Sequence, residues 1–216
     1  MAIVLDDWGN NHGLLKYALE IKRPLTLSIL PHLEPGRRIA EEAHENGLGV
    51  MLHLPMQPFA ENQPLEPRTL LVSMSDAEII KNLDDAVDSV PFIEGVNNHM
   101  GSRATADLRL MRLVLKRLKE KGLFFVDSNV SPKTVGPRVA KETGIAFAER
   151  NVFIDNEMNP DKIKASLHAA EKIALSRGEV IVIGHDKKMT LEVLKEMAPE
   201  IEKRGIKFVL VRYLVR

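Results

Sequence analysis

Six short apolar stretches of this 216-residue chain end abruptly in side chains suited to acid–base or metal chemistry. Ile3–Leu5 runs into Asp6-Asp7, Gly49–Leu52 into His53, and Gly95-Val96 into Asn97-Asn98-His99. Leu123–Val126 is followed by Asp127-Ser128-Asn129, Val152–Ile154 by Asp155-Asn156, and Val180–Ile183 by Gly184-His185-Asp186. Neighbouring carboxylates such as Asp6 and Asp7 repel unless a cation or a shared proton stands between them. One Asp with two His is a common ligand set for Zn²⁺ or a similar divalent ion, with one position left open for water. A second carboxylate can then accept a proton and a remaining histidine can protonate a leaving group, so this inventory fits metal-assisted hydrolysis. It does not specify the carbonyl or phosphoryl centre attacked.

Asp, Asn and Ser after a strand are also ordinary turn and cap residues, and Asp155, Asn156 and Asp186 are read that way. Turn chemistry does not explain histidine, so His53, His99 and His185 are read as functional. His44 and His168 fall within helical patterns as solvated residues, and His12 and His32 lean structural. A glycosidase with two carboxylates, for instance Asp6 and Asp127, stays open, although it leaves the three histidines without a task.

Something must bring these residues together. Short apolar runs at 3–5, 25–30, 49–54, 92–96, 123–126, 146–148, 152–154, 180–183 and 207–211 read as strands, and several are near-continuous in Val, Ile, Leu and Phe, as expected for strands buried on both faces of a parallel sheet. Between them lie helical segments with legible ends. Ser75-Asp76-Ala77-Glu78 is a capping box, Asn159-Pro160 opens another helix, and Thr190 precedes a third. Gly122, Gly178 and Gly205 stop three helices. Repeated βα units imply an α/β fold, and parallel strands would deliver all six polar ends to one rim. The proline-rich stretch 57–68 is long for a βα connection and reads as a functional lip.

Composition narrows the classes. Thirty basic and thirty acidic residues give a formal charge of zero, which argues against a nucleic-acid or anionic-membrane surface. The length suits one domain over 1–216. No apolar run is long enough to span a bilayer, and no signal segment is visible, since Asp6-Asp7 follows a five-residue apolar start. Without cysteine there is no thiol nucleophile or thiolate ligand. Dinucleotide, Walker-type and Gly-x-Ser-x-Gly motifs are absent, which disfavours nucleotide and serine-esterase chemistry.

The opening Ile3-Val4-Leu5-Asp6-Asp7-Trp8-Gly9 resembles the first motif of the NodB-like polysaccharide deacetylases of carbohydrate esterase family 4. Together with His53-Leu54-Pro55-Met56, Asn97-Asn98-His99-Met100-Gly101-Ser102, Asp127-Ser128 and Gly184-His185, it is similar more specifically to the divergent polysaccharide deacetylases of bacteria. The resemblance implies a distorted (β/α) barrel of about seven parallel strands, a divalent metal (most simply Zn²⁺), and hydrolysis of N- or O-acetyl groups on an envelope glycan. It also implies an extracytoplasmic location.

On that resemblance Asp6 matches the catalytic base, Asp7 the metal-binding acid, and His185 the general acid, with Asp127 placed to orient His185. Typical members take two histidine ligands from one segment, four residues apart, whereas His53 has no such companion. His99 is therefore the candidate third ligand beside Asp7 and His53. Substrate contacts fall to Trp8, to Asn98 as a donor, and to Arg103 as a stand-in for the family's arginine. The alternative is a catalytically degenerate glycan-binding or envelope-organising protein of the same fold.

Overall fold

The computed structural model describes residues 1–216. Its frame is one parallel sheet of eight strands. These are β1 (Ala2–Trp8), β2 (Thr26–Ile29), β3 (Gly49–Met56), β4 (Gly95–Met100), β5 (Phe124–Asp127), β6 (Phe147–Glu149), β7 (Val152–Phe153) and β8 (Ile181–His185). They lie in the order β6-β5-β4-β3-β2-β1-β8-β7. The connecting helices are α1 (Leu15–Glu20), α2 (Glu34–Glu45), α3 (Asp76–Ser89), α4 (Leu108–Glu120), α5 (Gly136–Thr143), α6 (Pro160–Arg177) and α7 (Lys188–Lys203). The expected capping box is present, with the Ser75 hydroxyl accepting from the Glu78 N–H while the Glu78 carboxylate accepts from the Ser75 N–H. Asn159 caps α6, but α7 starts at Lys188, so Thr190 lies inside it.

The sheet is a barrel that nearly closes. The two edge strands, β6 and β7, are separated in sequence only by Arg150 and Asn151. Three peptide steps reach about 10 Å, so the edges must approach one another. The chain terminus covers the β6 edge: Phe147 and Arg216 exchange backbone N–H···O bonds of 2.8 and 3.2 Å. There are eight strands rather than about seven because the short runs at 146–148 and 152–154 each form one. The run at 207–211 contributes only a bridge between Val209 and Ala2.

Side chains alternate across a strand, and the two apolar clusters separate along that alternation. Ile3, Leu5, Leu52, Leu54, Val96, Phe125 and Val182 point outward beneath the helices, in the main core. Ala2, Val4, Met51, Phe124, Val126, Ile181, Ile183 and Val211 fill the barrel interior. Gly95 makes room there, because a Cβ on it would collide with the Phe124 ring. One step further along each strand, the inward position changes chemistry. Above Val4 comes Asp6, above Met51 His53, above Val126 Ser128 and above Ile183 His185, while β4 supplies Asn97 and then His99.

Candidate metal centre and catalytic site

In a regular strand, Asp6 and Asp7 would face opposite sides of the sheet. The pairing of β1 with β2 slips between Leu5 and Trp8, and Asp7 has φ +64°, left-handed for a residue with a side chain. This bulge turns the second acid back toward the barrel mouth, so both carboxylates reach one site. Asp6 is 3% exposed, and Asp7 lies above it at the cleft.

Strands β3 and β4 are in register, His53 beside Asn97 and Pro55 beside His99. Asn97 and His99, two apart on one strand, share the inner face with His53. His53 Nε2 lies 3.3 Å from Asp7 Oδ1, His99 Nδ1 lies 3.2 Å from the same oxygen, and the two ring nitrogens are 3.2 Å apart. Tetrahedral zinc with arms of 2.0–2.1 Å needs ligand atoms about 3.3 Å apart. The triangle therefore already has the required size. Its donor chemistry fits as well: His53 Nδ1 donates to Asn97 Oδ1 at 2.8 Å, so in the neutral ring the Nε2 lone pair faces the Asp7 carboxylate. With His99 in the tautomer protonated on Nε2, its Nδ1 lone pair meets that of His53 and the Asp7 carboxylate at one point, an arrangement that suits a cation. Asp7, His53 and His99 would hold it.

Asp6 and His185 are register partners on β1 and β8, so they flank this triangle. Asp6 Oδ1 accepts from Asn97 Nδ2 at 2.8 Å, leaving Oδ2, 3.7 Å from His53 Nε2, without a strong donor. His185 Nδ1 meets Asp155 Oδ1 at 2.9 Å, which directs Nε2 into the mouth, 3.9 Å from Asp7 Oδ2. The other Asp155 oxygen accepts from the His185 N–H at 2.8 Å and from the Thr190 hydroxyl at 2.7 Å.

Environment sets the charges. Burial raises Asp6, partly offset by His53 and by the Asn97 hydrogen bond. Burial would also raise Asp7, but hydrogen bonds from His53 and His99, which a cation bound in the triangle would replace, hold it far below the usual carboxylate range. For His53, burial favours the neutral ring, yet the charges of Asp6 and Asp7 outweigh it and raise the pKa. His185 is likewise raised despite burial, chiefly by its bond to Asp155 and by that group's charge. Asp186, buried beside the cleft, is pushed up to about 6.

Four expected positions fall elsewhere, two of them because of strand alternation and one because of the bulge in β1. Asp127 shares the outward face with Phe125, bonding the Thr134 hydroxyl at 2.6 Å and the Asn129 N–H at 2.8 Å. It does not orient His185; Asp155, read from sequence as a turn residue, does. Asn98 also faces outward, its amide consumed by the Met100 carbonyl and the Ser128 N–H. Trp8 follows the bulge and is fully buried in the main core, so no sugar ring can lie on it. Arg103 stays exposed on the rim, out of contact with the triangle. The guanidinium that feels Asp6 is instead Arg150, clamped by the Ser128 and Asn129 carbonyls at 2.6 and 2.8 Å and stacked on Phe153. Sequence offered no sign of it beyond its place after a strand.

Over the triangle opens a polar cleft of about 500 Å³, bounded by Asn10, Asn11, Glu66, Asp186, Lys187 and Lys188. Glu66 comes from the long lip between β3 and α3. Phe59 on the same lip is 48% exposed, with its N–H bonded to the Ser102 hydroxyl and the Lys133 ammonium over its ring.

Comparison with known proteins agrees with this architecture. The Escherichia coli K12 protein YibQ is 36% identical over 197 residues, covering 91% of this chain, and the chain spans 61% of that protein's length. The crystal structure of ATU2773 from Agrobacterium tumefaciens C58 superimposes with a TM-score of 0.93 at 25% identity, covering 99% of this chain and 88% of the other. More distant structures share the fold at 16% identity, each aligned over 99% of this chain. One is BA3943 of Bacillus anthracis, a family 4 carbohydrate esterase pseudoenzyme, with a TM-score of 0.56 over 64% of its length. Another is a Clostridium thermocellum family 4 acetyl xylan esterase with a cobalt ion, at 0.58 over 88%. No helix of the chain is long and apolar enough to cross a membrane. The model of the divergent polysaccharide deacetylases matches residues 3–215, and the chain belongs to that family.

Proposed function

We propose that residues 1–216 act as one domain that binds a divalent cation, most simply Zn²⁺, through Asp7, His53 and His99 and removes N- or O-acetyl groups from an extracytoplasmic bacterial glycan. The observation that carries the reading is the equilateral triangle of ligand atoms at 3.2–3.3 Å, flanked by Asp6 and by the His185–Asp155 pair. A cation held there supplies Lewis-acid polarisation of an acyl carbonyl and a lowered pKa for water.

The remaining steps belong to the chain itself. Asp6 receives the proton of the attacking water on Oδ2, the oxygen that Asn97 leaves free. Its burial makes it a better base than a solvated aspartate at neutral pH. His185, charged through its bond to Asp155, delivers a proton from Nε2 to the departing sugar nitrogen or oxygen. Arg150 adds a fixed positive charge near Asp6. The exposed Phe59 face offers a sugar ring the platform that Trp8 does not.

The test is acetate release from acetylated chito-oligosaccharides or peptidoglycan fragments after metal loading. Turnover that disappears in Asp6→Asn while metal stays bound supports the hydrolase. Stoichiometric metal and tight glycan binding without acetate release would instead support a glycan-binding or envelope-organising protein without turnover; a pseudoenzyme shares the fold.

A further inference from the structure

Asn97 is fully buried in the polar layer of the barrel, and both ends of its amide are saturated. Its Oδ1 accepts from the Ser28 hydroxyl and from His53 Nδ1 at 2.8 Å. Its Nδ2 donates to Asp6 Oδ1 at 2.8 Å and to Ser128 Oγ at 3.3 Å. The Ser128 hydroxyl spends its own proton on the Asn98 carbonyl at 2.9 Å, so it must accept from Asn97. Turning the amide over would set its oxygen against the Asp6 carboxylate and its NH₂ against two donors. One orientation survives.

We propose that Asn97 is a positioning residue that couples the metal-ligand half of the site to the proton-accepting half. Resting on the hydrolase reading above, it goes beyond that reading by assigning one side chain two separable tasks. The Oδ1 end keeps the proton of His53 on Nδ1 and aims the Nε2 lone pair into the ligand triangle. The Nδ2 end pins Oδ1 of Asp6, so that Oδ2 is the oxygen presented to water. A residue serving only the packing of the barrel would link neither.

Two substitutions in the full chain separate the ends. Asn97→Leu removes both, and zinc affinity, read by competition with a chromogenic chelator, should fall about 10- to 100-fold, as for other outer partners of a histidine ligand. Asn97→Asp keeps an acceptor for His53 Nδ1 but cannot donate to Asp6. It should hold zinc within about threefold of wild type or tighter, while acetate release falls by about 10²-fold or more. Thermal midpoints in EDTA verify folding, and if Asn97→Leu does not fold, the affinity–turnover split in Asn97→Asp decides. Wild-type zinc affinity in both variants overturns the inference alone. So does loss of zinc in Asn97→Asp equal to that in Asn97→Leu, or unchanged turnover in Asn97→Asp. A wild-type chain that holds no zinc overturns the metal reading itself, and the coupling with it.

Discussion

Replacing Asp155 with asparagine tests the proton-delivering half of the site most sharply. The two Asp155 oxygens are not equivalent: Oδ2 accepts from the His185 N–H and the Thr190 hydroxyl, while Oδ1 faces only His185 Nδ1. In the Asp155→Asn variant the new amide would keep its oxygen toward the two donors, so its NH₂ would face the imidazole. A donor there forbids a proton on Nδ1, and the imidazolium that serves as acid can no longer form. A charge-assisted hydrogen bond contributes about 1.5–3 kcal/mol, and general acid catalysis about 10²–10⁴-fold in rate. We expect kcat on N-acetyl chito-oligosaccharide to fall about 10²–10³-fold, with KM and zinc affinity within about threefold of wild type, as for a group acting only as the bond breaks. An aryl acetate, whose leaving group needs no proton, should lose less than about tenfold. Equal losses on both substrates, or wild-type turnover of the glycan, would refute the assignment of His185 as acid under the control of Asp155.

Other expectations are simpler to state. Asp7→Ala should abolish stoichiometric metal binding by elemental analysis without preventing folding, because the carboxylate lies on a bulge at the cleft rather than in the apolar core. Phe59→Ala should raise KM for acetylated oligosaccharides several-fold and leave aryl acetate kinetics unchanged, since only the former present a ring to stack. Arg204→Gln bears on stability through Glu171, whose two oxygens accept from Arg204 at 2.7 and 2.9 Å. Burial would raise Glu171, but these bonds and His168 hold it below the ordinary value. A lowered folded-state pKa stabilises above the unfolded carboxylate range and is lost as pH falls through the folded value. The variant should therefore melt roughly 2–4 °C lower at pH 7, and the difference should shrink as pH falls below the ordinary glutamate range.

Much of the site is legible in sequence because the strands are buried on both faces. Each strand announces itself as an apolar run and its end as the first polar residue, which exposes Asp6, Asp7, His53, His99 and His185 directly. What stays hidden is the phase of each strand. Asn98 and Asn97 are indistinguishable as residue types; alternation from His99 selects Asn97, the residue two positions away. The same rule carries Asp127 to the outer face with Phe125. Trp8 reads as a rim residue only if β1 is regular, and no residue type betrays the bulge that makes it otherwise. Asp155 looks like any aspartate after a strand, since its partner lies 30 positions along the chain.

The barrel interior is built in two storeys, a hydrocarbon floor of Val4, Met51, Val126 and Ile183 and a reactive level resting on it. Strands β1, β3, β5 and β8 each supply side chains to both storeys, whereas β4 has only Gly95 at floor height, so a residue of the upper level can change while the floor stays intact. Stability and chemistry are thus inherited separately in this architecture. A substitution at the top of one strand can therefore alter the polar level without reaching the hydrocarbon floor.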